Sequence, residues 1–239
     1  GALFIALRGK RHHAHDFLRD ALEREHAALL LSRADPAVLR LARDKGAAVV
    51  RVRSTMAALR RMAVWQRGLS PARIIGITGS TGKTLTKDFT ASVLARAGTV
   101  VSAKGSFNNE IGLPLTILDA GPDTDFMVLE MGARGKGHIR ELCATARPEV
   151  GVITNIGWAH LRYFRTRDNL ARAKAELLES LPRDGRAVIN ADGDYAELLR
   201  EISPCPVVGF GYSTRCEVRA QEVVLDDMGR ATLAMKMKG

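Results

Sequence analysis

The sequence predicts an α/β protein: a small amino-terminal α/β domain, then a P-loop central domain with a mainly parallel sheet and a carboxy-terminal antiparallel hairpin. Three observations predict it. Short apolar, β-branched runs alternate along most of the chain with segments of helical apolar spacing. Strands that alternate with helices need right-handed crossovers, and hence parallel pairing. The runs in the larger part are almost continuously apolar, as strands covered on both faces must be.

In order along the chain, LFIAL is strand-like, His15 to Arg24 suits a short helix, AALLLS a strand, Pro36 to Lys45 a helix and AAVVRV a strand. Thr55 to Gln66 carries apolar residues at helical spacing. GLSPAR, residues 68–73, contains Gly and Pro and reads as a linker. The expected division is therefore a domain of residues 1–70 and one of residues 71–239. From Ile74 the strand-like runs are IIGIT, TVVSA, FMVLE, VGVIT, RAVIN and PVVGF. Helical patterns separate most of them, at Thr84–Ala97, Gly137–Ala146 and Asn169–Leu181. After Tyr212 the segment EVRAQEVVLDDMGRATLAMKMK alternates around DDMG and reads as a hairpin.

The bulk properties narrow the class. With 239 residues and 46% hydrophobic content, the chain can build a core for one large domain or two smaller ones. It has no run of about 18 apolar residues, so no membrane-spanning helix is expected. There is no charged-then-apolar leader; GALFIALRG begins mid-pattern, and a start upstream of Gly1 is expected. Cys143, Cys205 and Cys216 are far apart and lack Cys-x-x-Cys spacing. A disulfide framework or zinc site is not expected, and a reducing cytoplasm is. The formal net charge of +10 has two readings: an anionic partner, or arginines solvated on helix faces. The basic residues are scattered with few aromatics between them, a poor stacking platform for single strands, so no nucleic-acid partner is expected.

The chemistry concentrates in IIGITGSTGKTLTKDF, residues 74–89. A strand stops at a Gly-rich turn, and Lys-Thr opens a helix. Gly79 and Gly82 let backbone N–H groups of Thr78-Gly79-Ser80-Thr81-Gly82 converge on phosphate oxygens, and the helix N-terminus adds favourable partial charge. Lys83 can reach the terminal phosphates, and the Thr84 hydroxyl can take Mg²⁺. The strict pattern G-x-x-x-x-G-K-[ST] is not met, since Ile77 stands at its first Gly. Ligands of open parallel sheets gather at the carboxyl ends of strands. Glu130 ends FMVLE, Asn155 and His160 follow VGVIT, and Asn190 ends RAVIN. Carboxylate and imidazole beside a nucleotide point to Mg²⁺ on Glu130 and His160; an ordinary loop histidine is the alternative for His160. Lys174 by itself reads as a solvated helix lysine.

TGSTGKT, SFNNEIGLPLTIL (106–118), LEMGARGKGHI (129–139), TNIGWAHL (154–161), AKAEL (173–177) and INADGD (189–194), in this order, resemble the Mur ligases of peptidoglycan synthesis. GALFIALRGKRHHAHDFL resembles their amino-terminal domain, and the match covers nearly the whole chain. The likeness is greatest to the branch that adds D-Ala-D-Ala to UDP-MurNAc-tripeptide; NNEIGLPLT favours it over the sister ligase of the third amino acid and over folylpolyglutamate synthase. The resemblance implies an ATP-dependent amide ligase working through an acyl phosphate. It implies catalytic roles for Lys83, Glu130, His160 and Lys174, with Lys83 and its loop on the ATP phosphates. Thr84, Glu130 and His160 would serve Mg²⁺, and Lys174, as a carbamate, would help hold a second Mg²⁺. Asn190 matches a position near adenine. Asn108 and Asn109 match a segment near substrate and phosphates, with a turn role as the alternative.

Departures from the family pattern are local. Ala14 stands where a Gly is usual, and Leu85 where a Thr is usual. RYFRTR brings Arg162, Arg165 and Arg167 close behind His160. The family's third domain is not expected within these residues, and on that reading the fragment alone ligates little or nothing. A P-loop NTPase or phosphotransferase, and a nucleotide-binding module without turnover, are the competing classes.

Overall fold

The computed structural model describes residues 2–9, 13–24, 26–158 and 161–238. The chain divides into two compact units, Gly1–Trp65 and Gln66–Gly239.

In the first unit, β1 (Ala2–Ile5), β2 (His26–Leu31) and β3 (Ala48–Arg51) form a parallel sheet in that order. A 3₁₀ turn, Ala14–Phe17, leads into α1 (Leu18–Glu23), and α2 (Pro36–Asp44) follows β2. The start of α2 is written in the sequence: Pro36 takes the first helical position and the Asp35 carboxylate accepts the Val38 N–H at 2.8 Å. Leu18, Leu22, Leu29, Leu31 and Val38 make the core. Ala14 has no left-handed backbone conformation, so it carries no strain where the family pattern has Gly.

Helix α3 (Thr55–Leu69) is longer than the apolar spacing suggested and takes up the start of GLSPAR. Arg67 accounts for the extra turn. Its guanidinium donates to the carbonyls of Ala146 (2.9 Å) and Ser70 (3.1 Å) and pairs with Glu149 at 2.9 Å.

The second unit holds β4 (Arg73–Thr78), β5 (Val100–Ser102), β6 (Phe126–Glu130), β7 (Val150–Ile153), β8 (Arg186–Asn190), β9 (Val207–Gly211), β10 (Val218–Leu225) and β11 (Ala231–Met237). Among the described residues these form one sheet in the order β11-β10-β9-β8-β7-β4-β6-β5. Only the β10–β11 hairpin is antiparallel. Its helices are α4 (Lys83–Leu94), α5 (Gly112–Leu118), α6 (His138–Ala146), α7 (Leu161–Phe164), α8 (Arg167–Glu179) and α9 (Ala196–Ile202). Ile75, Ile77 and Val128 pack with Ala91 and Leu94 of α4. Ile153, Ala187 and Ile189 pack with Ala175 and Leu178 of α8 and Leu199 of α9.

β4 lies between β6 and β7, with Ile77 opposite Glu130 and Thr78 opposite Ile153. The chain crosses over β4 between those two strands, which opens a crevice at their carboxyl ends. No helix of the described residues is long and apolar enough to cross a membrane. The three cysteines are free and buried.

Candidate active site

The turn after β4 is shaped by two glycines. Gly79 has φ +153°, and a Cβ there would lie 1.8 Å from Thr154 Oγ1; Gly82 has φ +77°. Both demands exclude ordinary side chains. α4 starts at Lys83 with no side-chain cap, so its first N–H groups are left for a ligand.

The end of β7 braces this loop. Thr154 Oγ1 donates to Thr81 O at 2.6 Å, and Asn155 Oδ1 accepts the Thr81 N–H at 3.1 Å. Asn155 Nδ2 donates to Thr81 Oγ1 at 2.8 Å. The Ser80 N–H donates to Asn155 O at 3.1 Å, and Ser80 Oγ accepts from Gly157 N–H at 2.9 Å. Asn155, noted in the sequence only as a strand-end polar group, thus shapes the loop itself.

Lys83 curls back, its amine donating to the carbonyls of Gly79 (3.0 Å) and Ser80 (3.4 Å). From below, Lys174 Nζ donates to the same Gly79 carbonyl at 2.8 Å. The reading of Lys174 as a solvated helix lysine is corrected: only 3% of it is exposed. It lies on the face of α8 that packs on the sheet, together with Ala171, Ala175 and Leu178. Burial, and secondarily the charge of Lys83, lower its pKa to about 7.

Glu130 is buried at the end of β6. One carboxylate oxygen accepts from Thr84 Oγ1 and the other from Asn108 Nδ2, both at 2.7 Å. Among the described residues it has no ion-pair partner. Asn109 does something else: its Oδ1 accepts the N–H groups of Ile111 (3.0 Å) and Gly112 (2.9 Å), which is a turn role at the start of α5. His160 lies outside the described residues. In AKAEL the sequence pointed to Lys174 only, but Glu176 is buried too, and its carboxylate accepts the N–H groups of Gly137 (2.5 Å) and Arg140 (3.1 Å) at the start of α6.

Asn190 and Asn155 line a cavity of about 120 Å³ with Ile156, Tyr195 and Arg167. Arg167 donates to Asp194 (2.7 Å) and to Ile156 O (3.2 Å), and its guanidinium sits 4.7 Å from the Trp158 ring centre and 5.3 Å from that of Tyr195. This departure from the family pattern thus serves the cavity wall. Arg165 adopts φ +66°, and Leu85 is exposed.

The first unit has its own polar pocket of about 490 Å³, with Arg8, Arg33, Arg53, His13 and His15 on its wall. His15 Nε2 accepts the N–H groups of Ser32 (3.0 Å) and Arg33 (3.3 Å), so its proton sits on Nδ1, 3.1 Å from His13 Nδ1. Burial, then His13 and Arg33, lower the pKa of His15. The opening stretch that resembles the family's amino-terminal domain contains Arg8, His13 and His15, but nothing in the sequence joined them to Arg33 and Arg53; they converge through the turns after β1, β2 and β3.

The donor sets fit hard cations. Thr84 and Glu130 offer oxygen atoms, and a carboxylate buried against neutral donors is a charge that a divalent ion would offset. No group of three or more His, Cys, Asp or Glu suited to a metal is found among the described residues. Thr78 Oγ1, in the residue before Gly79, is buried with no hydrogen-bond partner among the described residues.

Comparison with known proteins agrees with this geometry. The model of the Mur ligase middle domain matches residues 77–238. UDP-N-acetylmuramoyl-tripeptide–D-alanyl-D-alanine ligase of Mycobacterium bovis is 38% identical over 96% of this chain and 48% of its own length. The ligase of that name from Bacillus subtilis is 37% identical over 95% and 48%. Among solved structures, MurF from Acinetobacter baumannii superposes with a TM-score of 0.86 at 28% identity, over 98% of this chain and 50% of that one. MurF ligase from Thermotoga maritima in complex with ADP gives 0.84 at 30% identity, over 99% and 53%. The chain spans about half the length of the curated relatives it matches. The parallel sheet with its glycine loop, the ordered motifs and the extent of these matches lead to one conclusion: the chain belongs to the Mur ligase family and carries that family's middle domain.

Proposed function

We propose that this chain serves an ATP-dependent carboxylate–amine ligase of peptidoglycan precursor synthesis, which joins D-Ala-D-Ala to UDP-MurNAc-tripeptide. The observation that carries the reading is the convergence of Lys83, Thr84 and Glu130 on one glycine loop with the buried amine of Lys174 behind it. The names of the relatives support the substrates, and the ADP complex of one structural neighbour supports the nucleotide.

In this reading the ATP phosphates lie on the N–H groups of Gly82, Lys83 and Thr84 at the uncapped start of α4, and the ammonium of Lys83 turns from the Gly79 carbonyl to the terminal phosphates. Thr84 and Glu130, with His160, would hold one Mg²⁺; Lys174 as a carbamate, with Thr78 beside the loop, would serve a second. Bound Mg²⁺ supplies positive charge between two anions that must meet. The tripeptide carboxylate attacks the γ-phosphorus, ADP leaves, and an acyl phosphate forms. The D-Ala-D-Ala amine then attacks the acyl carbon, phosphate leaves, and the amine gives up a proton. Lys83 offsets the charge that builds up in the first step. Asn108 acts through Glu130, and Asn109 by shaping the turn. Adenine takes the cavity beside Asn190, and the basic pocket of the first unit takes the UDP group. The site of action is the cytoplasm, where both ATP and the nucleotide-linked precursor are at hand.

Product analysis tests this. The chain is incubated with ATP, Mg²⁺, UDP-MurNAc-tripeptide and D-Ala-D-Ala, alone and grafted in place of the matching half of the Bacillus subtilis relative, and pentapeptide is followed by mass spectrometry. Pentapeptide from the graft, lost on Glu130→Gln, is expected. Phosphate transfer to another acceptor, or nucleotide binding without turnover in the graft, would contradict it.

A further inference from the structure

Among the described residues Lys87 is the largest fully buried side chain, with 2% exposed, and it ends in an amine. It lies on α4 one turn beyond Lys83. Its amine donates to the carbonyls of Ala103 (2.5 Å) and Gly105 (3.2 Å) and lies 2.9 Å from the largely exposed carboxylate of Asp88. Burying an ammonium is costly, and an apolar side chain would fill the same space more cheaply. What the amine does that an apolar group cannot is hold two carbonyls of the segment between β5 and α5.

That segment leads directly to Asn108. Residues 104–107 are exposed, so little packing holds them. Lys87 anchors one end, and the Gly132 N–H, donating to Asn108 O at 2.8 Å, anchors the other. The Asn108 amide then donates to Glu130, and Glu130 accepts from Thr84, which is back on α4. The contacts close a ring: α4, Lys87, the 103–108 segment, Asn108, Glu130, Thr84 and α4 again.

We propose that Lys87 is a positioning residue for the Thr84–Glu130 pair, acting through the 103–108 segment and Asn108. Its amine sets where the Asn108 amide stands, and the amide sets which carboxylate oxygen faces Thr84. The inference rests on the reading of Thr84 and Glu130 as a cation-binding pair.

The test is calorimetric titration of the 239-residue chain with ADP, in Mg²⁺ and in EDTA, for wild type, Lys87→Met, Asn108→Ala and the double variant. The wild type should bind more tightly in Mg²⁺. Lys87→Met should cut that Mg²⁺ enhancement about tenfold while changing affinity in EDTA by less than about twofold, and the double variant should be no worse than either single one, as expected for residues in one network. In the metal-free protein, hydrogen exchange at residues 103–108 should speed up in Lys87→Met and not at β7 or β8. Should Lys87→Met fail to fold, Lys87→Gln keeps one donor and should show a partial loss of the enhancement. An unchanged Mg²⁺ enhancement in the Lys87 variant, or additive losses in the double variant, would overturn the proposal. A wild type without any Mg²⁺ enhancement would instead overturn the cation reading itself, and this inference with it.

Discussion

Thr84 Oγ1 and Glu130 Oε2 lie 2.7 Å apart although 46 positions separate the two residues in the chain. The pairing of β4 with β6 brings them together. Ile77 stands opposite Glu130, so the glycine loop that continues β4 delivers the first turn of α4 to the end of β6. Two strand ends and one helix start thus build the site without any local motif containing both residues.

Removing the Lys83 amine should weaken ADP binding without unfolding the chain. Its two hydrogen bonds go to loop carbonyls, so Lys83→Ala deletes little packing. A lost charge-assisted contact of about 1.5–3 kcal/mol corresponds to roughly 10- to 150-fold in affinity. Calorimetry and a thermal melt on the same variant check both halves; unchanged ADP affinity would refute the loop assignment.

Gly79→Ala should destabilise the fold and abolish the cradle together. A methyl group would run into Thr154 Oγ1, at a backbone conformation that alanine rarely adopts. A loss of at least about 1–3 kcal/mol in urea unfolding is expected. The double variant Gly79→Ala, Thr154→Ala should recover only part of it, because the backbone strain remains.

Glu176→Ala should cost stability but not nucleotide affinity. It leaves the N–H groups of Gly137 and Arg140 without their acceptor, a loss of about 2 kcal/mol. The paired result, a lower melting temperature at equal ADP affinity, would separate the two halves of AKAEL into a structural glutamate and a functional lysine.

Lys174 should make stability depend on pH in a defined window. Its pKa is about 7 in the folded protein against an ordinary 10.5. Between these values the unfolded chain binds more protons than the folded one, so unfolding free energy rises with pH. The penalty is complete below about 7 and absent above 10.5. In CO₂-free buffer, Lys174→Met should therefore be more stable than wild type at pH 6, by roughly 3–5 kcal/mol, and the gap should close as pH rises through the window. Parallel pH profiles for the two proteins would contradict the burial of a titrating amine.

The fold was largely legible because its strands are apolar runs bounded by Gly, Pro and Asp, a pattern that local physics reads directly. The glycine-rich turn and the strand-end rule extended this to Lys83, Thr84 and Glu130, and the family resemblance to a role for Lys174. Other features depend on packing that no window of sequence shows. Lys174 reads as solvated until α8 lays that face on the sheet. α5 hides because Gly112 and Pro114 resemble a turn, although Pro is tolerated in a helix's first turn, where its missing N–H has no partner to lose. The extra turn of α3 needs Arg67 to find Glu149, 82 positions away. Lys87 carries no signal at all until its carbonyl partners are known.

The central claim is that Thr84 and Glu130 form a cation-dependent nucleotide site, and calorimetry of ADP binding to Glu130→Gln tests it most directly. The substitution keeps the size and removes the charge; the carboxamide oxygen can still accept from Asn108 Nδ2, while the Thr84 hydroxyl must turn to accept from the new amide. The account predicts that wild-type affinity is higher in Mg²⁺ than in EDTA, and that Glu130→Gln matches wild type in EDTA yet gains little from Mg²⁺. Equal Mg²⁺ enhancement in the two proteins, or none in either, would contradict it.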